Sequence, residues 1–195
     1  MHREAGVLSR LRAATAQSHQ ALERRLDIVR RIATVDGRRG LVERFAALHH
    51  GAHLRMGPWL EDLGGLDYHA RNRRDLFRED LAALGSPPVE SLPACAVPPL
   101  KSRAAALGLF YVLEGSSLGG RVIRRHVEQD RGEMLGLSFL DPYGVDVGQM
   151  WKRFVLVLER EIPSSSGRLF EDLVGGARDG FELATAWLCS PDPQP

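Results

Sequence analysis

An all-α, single-domain fold is the class that this 195-residue sequence predicts, and three observations predict it. Apolar residues return at three- and four-residue steps through long segments, no segment alternates convincingly between apolar and polar residues, and nothing repeats along the chain. The length suits one domain with a sizeable core. Lys and Arg number 26 against 25 Asp and Glu, a formal charge of +1, so no global argument points to nucleic acid or to an acidic membrane surface. The N-terminus MHREAGVLSRLR lacks the apolar core of a signal peptide, and no run reaches the ~20 apolar residues of a membrane span. Cys95 and Cys189 make neither a metal spacing nor a disulfide framework, consistent with a reducing compartment. A cytoplasmic protein with no nucleic-acid and no membrane partner is expected.

Taken in order, Val7, Leu8, Leu11, Thr15, Ser18, Leu22 and Leu26 predict a first amphipathic helix from about Val7 to Val29. After a turn at Asp36-Gly37, Leu41, Phe45, Leu48, Ala52 and Met56 predict a histidine-rich second helix that Pro58 kinks or stops. Arg71 to Leu84 reads as a short, highly charged third helix, and Gly85 to Pro99, with five prolines, as a loop. An apolar helical run follows from Ala104 to His126. Arg131 to Gly144 is irregular, with a turn at Asp141-Pro142-Tyr143-Gly144. The helical period then returns from Val147 to Ile162, breaks at Pro163 to Gly167, and ends with a helix from about Arg168 to Leu188. Residues 1–6 and 190–195 are expected to be disordered ends.

The Ala104–His126 run carries GSSLGG, Gly115 to Gly120, at its centre. A glycine inside a helix costs roughly 1 kcal/mol relative to alanine, so this composition opposes the helix that its flanks favour. At about 100° per residue, Gly108, Gly115 and Gly119 fall within ~40° on one face, where a flat object could lie against the main chain. A close helix crossing through small residues would explain the same pattern. No strand precedes the glycines and no Gly-Lys-Ser/Thr follows them, which argues against a phosphate loop.

On the first helix, Arg12, His19 and Glu23 share a face at the edge of the apolar stripe. A histidine with a carboxylate one turn on suits an axial iron ligand whose other ring nitrogen is oriented by an acceptor. Arg12, two turns back, could hold a carboxylate of the same ligand. An ordinary helix salt bridge is the competing explanation.

The motif LRAATAQSHQALE, Leu11 to Glu23, together with YVLEGSSLGGRVI, Tyr111 to Ile123, resembles the biliverdin-producing heme oxygenases, bacterial members of the bacteriophytochrome-associated type above all. The similarity in helix order extends from about residue 7 to 188. It implies a helical bundle with heme b, both cofactor and substrate, held between the first helix and a glycine-kinked distal helix. Residue by residue, it implies that His19 is the proximal iron ligand and Glu23 its partner. Arg12, Lys152 and Tyr111 would stand at the propionate end, and Gly115, Ser116, Gly119 and Gly120 would form the catalytic distal wall. Animal members carry an aspartate where this chain has Ser116, and a serine cannot supply a carboxylate acceptor to the distal water network. The implied reaction uses dioxygen and external electrons to give biliverdin, carbon monoxide and ferrous iron. Without a flavin or nicotinamide motif in the chain, the implied electron donor is a separate ferredoxin or flavoprotein reductase, and the implied bilin acceptor a bacteriophytochrome.

His49, His50 and His53 raise a second metal possibility, yet no carboxylate-rich face completes such a site, so a structural or solvated role is expected. Glu-x-x-His occurs nowhere, which argues against di-iron bundle chemistry. A heme carrier that keeps His19 but does not turn over stays open as the alternative function.

Overall fold

The computed structural model describes residues 6–132 and 134–190, the side chain of Arg131 excepted. The regular elements among its described residues are all helices, with no strand. Helix α1 spans Val7–Leu26, α2 Ile28–Arg31, α3 Val35–Leu60, α4 Arg74–Ala83, α5 Arg103–Arg131, α6 Val147–Glu161 and α7 Gly167–Leu188. Short 3-10 turns interrupt the connections at His69–Arg71, Val89–Ser91, Ser138–Leu140 and Gly144–Asp146. None of the described helices is long and apolar enough to cross a membrane. The predicted residues 1–5 and 191–195 of the two ends lie outside the described residues.

Helix α7 is the hub. It packs most extensively on α5 and next on α1, while α3 leans on α4 and α5. The α5–α7 crossing is close because glycines permit it: a Cβ on Gly108 would lie 2.2 Å from the Leu173 carbonyl oxygen, and one on Gly176 2.1 Å from that of Ala105. The start of α5 is tied to the same helix. Ser102 caps α5 by accepting from the Ala105 N–H at 3.2 Å and donates its hydroxyl to Asp172 of α7 at 2.8 Å. On the other side, Arg178 of α7 donates to the Ala14 carbonyl of α1, and the Arg10 guanidinium stands 3.9 Å over the Phe170 ring.

Several boundaries differ from the sequence expectation for identifiable reasons. Helix α1 stops at Leu26 rather than Val29 because Asp27 is left-handed, with φ 41°. Asp36-Gly37 lies in the first turn of α3 and is no turn between helices, since the Thr34 side chain accepts from Gly37 N–H at 3.0 Å and starts the helix there. Pro58 sits inside α3, which runs two residues further. Helix α4 begins at Arg74, and Arg71 belongs to the preceding 3-10 turn, where its side chain is buried.

Candidate functional site

Helices α1 and α5 are held apart by their shared packing on α7, and a cavity of about 590 Å³ opens between them. Helix α1 contributes Arg12, His19 and Glu23, and α5 contributes Tyr111, Gly115, Ser116, Gly119 and Gly120. Phe181, Ala184 and Leu188 of α7 form one end, with Phe45, Leu48 and His49 of α3 and Phe139 and Leu140 at the deep side. The volume is in the range of small-molecule and cofactor sites, and the lining is mainly apolar with a few convergent polar groups.

Eight of the nine residues singled out from the sequence therefore share one cavity. His19 is 55% exposed, its ring edge-on to Phe181 with centroids 5.6 Å apart. Its Nδ1 stands 3.6 Å from a Glu23 carboxylate oxygen, which leaves Nε2 for a ligand in the cavity. Arg12 lies over the Trp151 ring at 5.8 Å, and Tyr111 is the next aromatic at 6.1 Å from Trp151. Trp151, from α6, was not singled out in the sequence, where it reads as one more apolar position. Its neighbour Lys152 is exposed and lies outside the cavity lining, because a one-residue step on a helix turns the side chain by about 100°.

The glycines divide by role. A Cβ on Gly115 or Gly119 would meet nothing within 4 Å, so their bare backbone faces open space. Gly108 belongs to the α5–α7 crossing, a correction to the single strip expected from helical phase. Gly120 lines the cavity, but its missing Cβ would lie 2.3 Å from the Leu140 carbonyl oxygen, so close backbone approach also requires it. Helix α5 stays helical without a break through all of them.

Ser116 spends its hydroxyl proton on the Leu113 carbonyl at 2.6 Å and accepts from Arg73 Nη1 at 3.3 Å. The polar character of this wall comes instead from Arg73, which the sequence did not single out, and from His49, for which a structural or solvated role is expected from the sequence. His49 is 4% exposed and Arg73 is 4% exposed; both line the cavity. Neither His49 ring nitrogen has a hydrogen-bond partner, and neither has Arg73 Nε. Burial, followed by the charge of Arg73 and the nearness of His53, holds the His49 pKa well below its usual value, so its imidazole is neutral. His53 is lowered to about 4, by burial first and then by Arg73, His69 and His50. Of the structural or solvated role expected for the α3 histidines, His49 takes the structural one, buried beneath other elements, and His53 is half-buried. Buried polar nitrogens without a partner, on residues that line a cavity, are exceptions to the usual pairing of buried polar groups.

These features fit a flat, apolar group carrying carboxylates and a metal. The bare Gly115 and Gly119 backbone admits a plane, His19 offers a ligand nitrogen opposite, Arg12 offers a cation at one end, and His49 and Arg73 offer unused polar atoms.

No protein-family model matches the chain. It is 36% identical over 143 residues to a heme oxygenase of Xanthomonas campestris pv. campestris, an alignment covering 68% of this chain and 79% of that protein. Among solved structures, it superposes with a TM-score of 0.77 on a heme oxygenase from Neisseria meningitidis solved with NO and CO bound, at 22% identity over 94% of this chain and 90% of that one. The heme oxygenase-1 of the cyanobacterium Synechocystis in complex with heme gives 0.73 at 14% identity, over 94% of this chain and 91% of that one. At those identities the two structures establish the common all-helical fold. With the Xanthomonas relative matched over most of its length, the chain belongs to the heme oxygenase family.

Proposed function

We propose that this protein opens heme to biliverdin, releasing carbon monoxide and ferrous iron, and that His19 is the iron ligand. The observation that supports this most is His19 and the bare Gly115 and Gly119 backbone standing on the two helical walls of one cavity. When bound, heme supplies both the iron that takes up dioxygen and the porphyrin that is opened, so the protein contributes placement, electrostatics and exclusion of competing reactions.

His19 Nε2 would be the ligand to the metal, with the Glu23 carboxylate, 3.6 Å from Nδ1, placed to orient the ring. Arg12, over the Trp151 ring, would hold a propionate by a charge-assisted hydrogen bond. Gly115 and Gly119 leave no side chain over the distal face, so only small molecules fit between backbone and ligand. Arg73 Nε–H, which has no protein partner, would be the donor available to a small ligand there, and the neutral His49 ring would donate or accept according to its tautomer. Apolar Phe45, Phe139 and Leu140 keep bulk water from the deep side. Electrons come from a separate ferredoxin or flavoprotein reductase, and the bilin passes to a bacteriophytochrome in the cytoplasm.

The test is turnover. Purified protein with hemin, a ferredoxin–ferredoxin reductase system and catalase is expected to lose the Soret band, gain biliverdin absorption and release carbon monoxide. A complex that takes up dioxygen and leaves its porphyrin intact would identify a carrier instead.

A further inference from the structure

Behind the polar wall, outside the cavity lining, lies a buried carboxylate. Glu114 precedes Gly115 on α5 and is 3% exposed. Arg71, itself buried, donates Nη1 to one of its oxygens, and the Tyr143 hydroxyl donates to the other at 2.7 Å. Arg73 Nη2 stands 3.7 Å from that second oxygen. Two buried guanidinium groups and a tyrosine therefore converge on the Glu114 side chain. Arg71 reaches further, donating to the Leu66 carbonyl at 2.6 Å and to that of Met150 at 2.9 Å, so the cluster spans α5, the His69–Arg71 turn and α6.

Arg73 is clamped at the same point. Its Nη2 donates to the Leu113 carbonyl at 3.0 Å and to Ser117 Oγ at 2.6 Å, and its Nη1 to Ser116 Oγ. A guanidinium is planar and its donors have fixed directions, so anchoring both Nη atoms also fixes where Nε–H points. Nε is the atom left buried and unpartnered. Ser116, whose proton is spent on Leu113, has no donor for the cavity.

We infer that Glu114 is a positioning residue of the distal wall: with Arg71 and Tyr143 it sets the Arg73 guanidinium so that Nε–H is offered to a small ligand beside His49. The carboxylate missing at position 116 is thereby replaced by one at position 114 acting through an arginine. The inference rests on the heme reading, since it concerns a ligand on the iron's distal side.

Fluoride binding to the ferric heme complex, followed by visible absorption, reads this directly, because bound fluoride accepts a hydrogen bond from a nearby donor. Arg73→Leu is expected to weaken fluoride about tenfold, the size of one charge-assisted hydrogen bond. Glu114→Gln is expected to weaken it similarly, and adding it to Arg73→Leu is expected to cost nothing more. The sign is diagnostic. Removing a negative charge beside two arginines would, by Coulomb attraction alone, tighten an anion. Helical circular dichroism and a cooperative thermal melt like those of wild type show that the variants fold. If Glu114→Gln fails to fold, Tyr143→Phe removes one support and leaves the charge; a fluoride loss of a few fold that vanishes in the Arg73→Leu background then supports the proposal. Fluoride affinity unchanged or tighter in the folded variants, or losses that add, would overturn it. A wild-type protein that binds no hemin would overturn the heme reading instead.

Discussion

At the scale of single residues, the site depends on side chains at the edge between core and solvent, and their cost and benefit differ. Arg12 is exposed and rests on Trp151, so it is cheap to place and available for a carboxylate. Arg12→Gln is expected to weaken hemin binding about tenfold, the size of a lost charge-assisted hydrogen bond, with no change in melting temperature. An unchanged hemin titration would remove Arg12 from the site. His49 and Arg73 are the opposite case, buried polar groups whose unpartnered atoms burden the fold and are retained at the cavity. From sequence, His49 reads as one histidine among several on a helix, and Arg73 as one charge in a charged helix. Only tertiary packing distinguishes them, because burial depends on what α5 and the 139–143 segment place over them.

At the scale of elements, the glycines of α5 serve two different demands that their helical phase cannot separate. Gly108 and, on α7, Gly176 let two backbones approach to within the radius of a methyl group. Gly108→Ala and Gly176→Ala are expected to destabilise the protein by about 1–3 kcal/mol, through overpacking against carbonyl oxygens, lowering the melting temperature by roughly 2–4 °C for each kcal/mol. Gly119→Leu meets open space, so its melting temperature is expected to match wild type or exceed it, while hemin binding falls at least about tenfold. Thermal melts paired with hemin titrations check both halves. Full hemin binding in Gly119→Leu would mean that this glycine serves only the helix. The helices themselves were legible because each carries a 3.6-residue apolar period. The ends were less so: a left-handed Asp27 and a Thr34 cap are local conformations that periodicity does not encode.

At the scale of the whole molecule, the two buried histidines link stability to pH. His53 is lowered to about 4 and His49 is also lowered, both by burial before any neighbouring charge. The unfolded chain takes up these protons near pH 6.5 while the folded chain does not, so the unfolded state binds more protons and stability falls as pH falls. The contribution of His53 is fully present above 6.5 and is lost progressively down to about 4. Melting temperatures between pH 7 and 4.5 are expected to decline, and His53→Gln to flatten that decline; equal slopes in the two proteins would contradict the assignment. Fold class, the His19–Glu23 pair and the glycine wall were readable because each rests on spacing within one helix. Trp151, Arg73 and the burial of His49 were not, since these residues reach the site from three separate helices or turns; Glu114 stands behind the lining and meets it only through Arg73, and Lys152 shows the converse, a basic residue one step off the face that turns inward. The central claim is that one cavity holds heme with His19 on one side and bare glycine backbone on the other, and hemin titration of wild type against His19→Ala tests it most directly. The expected result is an imidazole-ligated spectrum in wild type that is lost in His19→Ala and restored by added imidazole; the same spectrum in both proteins would contradict it.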